Sequence, residues 1–88
     1  MFTTVTAQDQ RNIEVANAVT ALQDCVALHM EMDWAGILRG FAHPPTTEQV
    51  RELVALRAAM SAKTDPAAKN AARAAMKAAT AALAESMV

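Results

Sequence analysis

Phe41-Ala42-His43-Pro44-Pro45-Thr46-Thr47-Glu48-Gln49-Val50 is the stretch that divides this chain. Each proline drives the residue before it out of the helical region, so His43-Pro44-Pro45 is extended and a helix arriving from the N-terminal side must end before it. Thr46 restarts the chain as an N-cap. Glu48 and Gln49 fall in the first turn, and Gln49 stands where its side chain reaches back to the cap's own N–H. The reading is a linker over 41–46 and a helix over 47–62.

Upstream, Thr6 and Asp9 form a capping pair that starts a helix near Ala7. The pattern runs on to Arg39. Gly40 then suits a left-handed C-terminal cap, and Phe41 is placed for the hydrophobic contact that accompanies one. A helix over 7–39 is about 50 Å long at 1.5 Å per residue, with Asp33 to Gly36 its weakest place. Downstream, Thr64-Asp65-Pro66 pairs an Asp N-cap with a proline at the first helical position, so a third helix covers 66–86. Its alanines favour helix and let another backbone approach closely. The expected fold is all-α: one domain over 1–88, a small helical hairpin or bundle with a long N-terminal helix.

A chain of 88 residues buries only roughly 60–65% of its unfolded surface, and small scaffolds generally lean on disulfides, a metal or a partner. Cys25 is the single cysteine, so no internal disulfide forms, and a reducing cytoplasm is the expected location. Met1 to Thr6 is too short for a signal peptide, and no apolar run approaches the ~20 residues of a membrane span. One stripe of the first helix is Val15, Val19, Leu22, Val26, Met30 and Ile37. Leu28, Met32, Trp34 and Leu38 lie on other faces, and a helix apolar on several sides is buried on several sides. These four are the candidate interface residues, and a homo-oligomer is expected.

The net charge of −1 hides an asymmetry. Residues 1–44 carry two arginines against five carboxylates, a net of −3, whereas residues 45–88 carry six cations against four carboxylates, a net of +2. The halves attract each other, and the C-terminal cations suit a small anion. The balance argues against duplex nucleic acid as a partner.

Cys25, His29 and Asp33 recur at four-residue steps on one helix face. Three ligands on a single helix without a second pair make a poor metal site. No oxyanion donor accompanies them, so neither a cofactor nor catalysis is expected. The plain reading is a core histidine bonded to a carboxylate. Arg57 falls within the apolar face Val50, Leu53, Val54, Leu56 and Met60 of the second helix. A buried guanidinium needs an anion. The alternatives are a salt bridge to the first helix, for instance to Asp33, a stem that snorkels to the rim, or a bound phosphate. Lys69, Arg73 and Lys77 repeat every four residues on the third helix, most simply as a solvated face.

Phe41, His43-Pro44-Pro45, Thr46, Glu48-Gln49-Val50 and Leu56-Arg57-Ala58 together resemble the start of the helical-hairpin domain of phage nucleotide sponges, the small anti-CBASS and anti-Thoeris proteins. The resemblance covers residues 41–59. Ala42 stands where that family commonly has a tyrosine. The resemblance implies a non-enzymatic phage counter-defence protein acting in immune evasion in the cytoplasm of an infected bacterium. It would sequester a cyclic oligonucleotide or cyclic ADP-ribose signal in pockets between protomers. By position, Arg57 would contact phosphate while His43, Pro44 and Pro45 shape the pocket wall, with Lys69 and Arg73 adding positive charge from the third helix. The alternative class is a helical protein–protein interaction module, a phage-borne inhibitor or adaptor working through Leu28, Met32, Trp34 and Leu38.

Overall fold

A computed structural model describes residues 6–28 and 36–88, with Leu28 in its backbone only. The described residues form an all-α bundle of three long helices: α1 (Ala7–Leu28), α2 (Thr47–Ala62) and α3 (Pro66–Met87). Residues 36–38 are also helical and precede the proline linker. No described helix is long and apolar enough to cross a membrane.

The starts of all three helices follow from local chemistry. At α1 the Thr6 hydroxyl accepts from Asp9 N–H (3.0 Å) and Thr6 N–H donates to the Asp9 carboxylate (3.3 Å). At α2 a full reciprocal capping box forms: Gln49 N–H donates to Thr46 Oγ1 (3.2 Å), and Thr46 N–H donates to Gln49 Oε1 (2.8 Å). At α3 the Asp65 carboxylate accepts from Ala68 N–H (2.9 Å) ahead of Pro66 at the first helical position. Each satisfies N–H groups that a helix start otherwise leaves unpaired.

α3 is the central helix and packs against both of the others more extensively than they pack against each other. Both run antiparallel to it. Glu14 and Asn17 lie beside Met87, while Val19 and Gln23 lie beside Arg73, Met76 and Ala81. Likewise Gln49 and Glu52 adjoin Leu83 and Ser86, whereas Met60 and Ser61 adjoin Lys69 and Arg73. The core consists of Ala18, Leu22, Cys25 and Val26 of α1, Leu38 of the helical stretch before the linker, Val50 and Leu53 of α2, and Ala84 and Met87 of α3. Thr80 is buried with them and returns its hydroxyl to the Met76 carbonyl at 2.8 Å. The radius of gyration, 14.8 Å, exceeds the ~12 Å of a compact domain of this length, so the core is thin for the chain it supports.

Several expectations are corrected. A continuous helix over 7–39 is ruled out: Gly40 lines the same pocket as Glu14 and Asn17, whereas residues 14 and 40 of one helix would stand about 39 Å apart. The proposed weak place, Asp33 to Gly36, lies almost wholly outside the described residues, as do Met30, Met32 and Trp34. Gly40 does not adopt a left-handed backbone. The turn is closed instead by Phe41 N–H donating to the Leu38 carbonyl (3.3 Å), with Phe41 packed against the core. Leu38, expected on an outer face, is 3% exposed within the core, and Ile37, expected in the stripe, is 39% exposed. Leu56 is likewise exposed at 36%. The inward face of α2 runs through Val50, Leu53, Val54, Arg57 and Met60, which leaves Leu56 a helical step to one side.

Leu22 is fully buried, whereas Ile13 is 50% exposed. Leu22→Ala is therefore expected to lower unfolding free energy by about 2–5 kcal/mol, most of the stability of so small a domain, while Ile13→Ala changes it by less than ~0.5 kcal/mol. Urea denaturation of both variants checks the contrast; equal losses would mean that the core is misplaced.

Candidate functional site: a cationic groove beside the central helix

Burial along α3 is uneven, with an opening beside its middle and first half. Its buried positions, Thr80, Ala84 and Met87, all lie in its second half. In the first half Ala68, Lys69, Ala72 and Met76 are only half-buried. The opening is a groove of about 380 Å³ lined by Val19 and Gln23 of α1, Met60 of α2, and Arg73, Met76, Lys77, Thr80 and Ala81 of α3. That volume lies at the lower end of the range for small-molecule sites, roughly 300–1,000 Å³. Its walls are mostly apolar. Its charged groups, Arg73 and Lys77, are both cations four residues apart on one helix face, about 6 Å along the axis. Among the described residues that line the groove there is no carboxylate.

The candidate residues fall in three separate places. Lys69, Arg73 and Lys77 border the groove or its continuation. His43, Pro44 and Pro45 sit at the other end of the molecule, where His43 N–H donates to the Met87 carbonyl (3.0 Å) and ties the linker to the end of α3. Arg73 and Met87 are fourteen residues apart on α3, about 21 Å at 1.5 Å per residue, so within one protomer the His-Pro-Pro segment and the groove cations do not form one pocket.

Arg57 is in the third place. It is half-buried, and its Nη1 donates to the Val26 carbonyl of α1 at 3.3 Å. Of the alternatives for Arg57, the contact seen among the described residues is with the first helix, and its acceptor there is a backbone carbonyl. The chemistry accounts for this. A guanidinium donating to a backbone carbonyl is a charge-assisted hydrogen bond, stronger than one between neutral groups. Asp33, the alternative acceptor, and His29 lie outside the described residues.

Sequence reasoning treated Lys77 as a solvated charge and did not find Val19, Gln23, Met60 or Met76 as groove wall. The four-residue period of Lys69, Arg73 and Lys77 was the available signal. What it lacked was the position of α1, which turns one edge of that face into the rim of a cleft.

Cys25 is buried in the core. Burial pushes its thiol above the usual 9.0, and the neighbouring Asp24 carboxylate pushes in the same direction, against a smaller opposing effect of a backbone hydrogen bond. The thiol stays protonated, which removes it as a ready nucleophile or metal ligand. Among the described residues no group of three or more histidine, cysteine or carboxylate side chains could hold a metal ion. No family model, no curated protein and no solved structure matches the chain.

Two outcomes are expected. Arg57→Met removes the charged donor from the Val26 carbonyl and lowers stability by about 1–2 kcal/mol, whereas Arg73→Met stays within ~0.5 kcal/mol of wild type, both read by thermal denaturation. For Cys25, the folded chain holds its proton more tightly than the unfolded chain. Its contribution is therefore flat below 9.0 and becomes destabilising as pH rises above that value. Iodoacetamide at about pH 8 should modify the native protein far more slowly than the urea-unfolded protein; equal rates would place the thiol outside the core.

Proposed function

We propose that this chain is a non-enzymatic binding protein that sequesters a small phosphate-bearing signal as a homo-oligomer, with cyclic nucleotides of bacterial immunity as the class the resemblance implies. The observation that supports this reading is the pairing of Arg73 and Lys77 on the rim of an apolar groove whose described lining residues include no carboxylate. A guanidinium grips phosphate through two N–H groups, a lysine adds a point charge, and the apolar wall receives a base or sugar face. In this reading Arg57 is a structural residue rather than the phosphate contact, and the groove cations take that role. His43, Pro44 and Pro45 could enter the same site only from a second protomer.

The alternative, a helical protein–protein interaction module, draws on a different observation. A second groove of about 290 Å³ lies between α2 and α3, lined by Leu53, Leu56, Ala79, Ala82 and Leu83, with Gln49, Glu52 and Ser86 at its edge. Leu56 is the exposed apolar residue on that side. The surface first considered for this role loses Leu38 to the core, and the side chains of Leu28, Met32 and Trp34 lie outside the described residues.

Native mass spectrometry separates the two. The protein is sprayed alone and with a mixture of cyclic di- and trinucleotides and cyclic ADP-ribose isomers. The sequestration reading expects a discrete oligomer that retains one mass-identified ligand, with retention lost in an Arg73→Ala, Lys77→Ala double variant of unchanged circular dichroism. An oligomer that retains none of the mixture sinks that reading and leaves the interaction module.

A further inference from the structure

The groove does not end at Arg73. A second, smaller hollow of about 240 Å³ adjoins it, lined by Met60, Ser61, Lys69 and Arg73. Met60 and Arg73 belong to both hollows. The two differ in chemistry. The larger is walled by Val19, Met60, Met76 and Ala81. The smaller brings two cations and a hydroxyl together around one thioether side chain.

The fold builds this smaller hollow at the hairpin between α2 and α3. Ser61 stands at the end of α2, and Lys69 and Arg73 occupy successive turns at the start of α3. They share one face, about 6 Å apart along the axis. Lys69 is half-buried rather than fully solvated. The carboxylate nearest in sequence, Asp65, is engaged by the Ala68 N–H at 2.9 Å and does not line the hollow. With no carboxylate among the described residues of the hollow, the Lys69 ammonium and the Arg73 guanidinium repel each other, and a bound oxyanion relieves that repulsion.

We propose that the groove is a two-part site. Ser61, Lys69 and Arg73 form a subsite for one oxyanion, and the chamber of Val19, Met60 and Met76 receives an apolar, ring-sized body attached to it. The ligand class is a small organic anion with one charged end, bound one per chain. This deepens the sequestration reading and rests on its placement of the ligand in the groove. It adds Ser61 and Lys69 as the residues that select for the charged end, and it makes the site complete within a single protomer.

Isothermal titration calorimetry with matched pairs tests the inference: adenosine monophosphate against adenosine, and decanoate against decanol, with inorganic phosphate as the anion alone. In at least one pair the charged member should bind one per chain and at least tenfold more tightly than its neutral counterpart and than inorganic phosphate. Lys69→Met should remove that advantage while neutral-member binding stays unchanged. Met76→Trp, which fills the chamber, should weaken both members of the pair. The inference is overturned if no pair shows the advantage, or if the advantage survives Lys69→Met. The two proposals fail separately. Retention of a cyclic nucleotide that is indifferent to Lys69→Met keeps sequestration and removes the subsite. A charged-end preference abolished by Lys69→Met, with no cyclic nucleotide retained, keeps the subsite and removes sequestration.

Discussion

Close approach to the central helix is the constraint on which the rest of the molecule depends. α3 must serve two neighbours at once, and a helix bearing large side chains on both flanks would hold them apart. Many of its inward positions are small or slender: Ala84 and Thr80 are buried, and Ala68, Ala72 and Ala79 are half-buried, while Met76, Leu83 and Met87 supply the bulk. Thr80 avoids a stranded hydroxyl by bonding back to Met76. α1 contributes Ala18 and Cys25 beside Leu22 to the same core. Dispersion and apolar burial reward such contact only when it is tight, because a narrow gap forfeits a large part of the attraction.

Burial along α3 is concentrated in its second half. Leu22, Val26, Leu38, Val50, Leu53 and Met87 are the bulky side chains of the core, and Val50, Leu53 and Met87 lie where α2 begins and α3 ends. Toward the hairpin, α2 offers Arg57 and Met60 in place of further aliphatic residues, and α3 offers Lys69 and Arg73. Arg57 is accommodated because the end of α1 presents a carbonyl to it. Among the described residues that line the two hollows, Lys69, Arg73 and Lys77 meet no carboxylate. Charge and cleft thus have one cause: the segment of α3 too polar to be packed is the segment that lines an opening.

The start of every described helix was legible because it is set by residues three or four positions apart. Thr6 with Asp9, Thr46 with Gln49 and Asp65 with Pro66 each carry their own hydrogen-bond chemistry. Which face turns inward was only partly legible. Val19 and Leu56 were read as core on hydrophobicity, yet Ala18 is fully buried while Leu56 stands exposed. A small residue carries little hydrophobic signal, and its value appears only when a second helix comes close enough to need it. The candidate site fared in the same way. Lys69 and Arg73 were singled out from charge and spacing, whereas Gln23, Ser61 and Met76 have no local signature at all.

By itself the sequence determined an all-α chain broken by His43-Pro44-Pro45 and again by Asp65-Pro66, with an acidic N-terminal half and a basic C-terminal half. These are consequences of dihedral restriction, capping and composition, which act within a few residues. The tertiary structure alone decided that α1 and α2 both lie antiparallel to α3, that Leu38 joins the core, and that Arg57 answers to the Val26 carbonyl. It also set the His-Pro-Pro linker and the groove cations at opposite ends of α3. Those outcomes hang on contacts between residues more than thirty positions apart in the chain, such as Arg57 with Val26, and no local pattern encodes which distant surfaces meet.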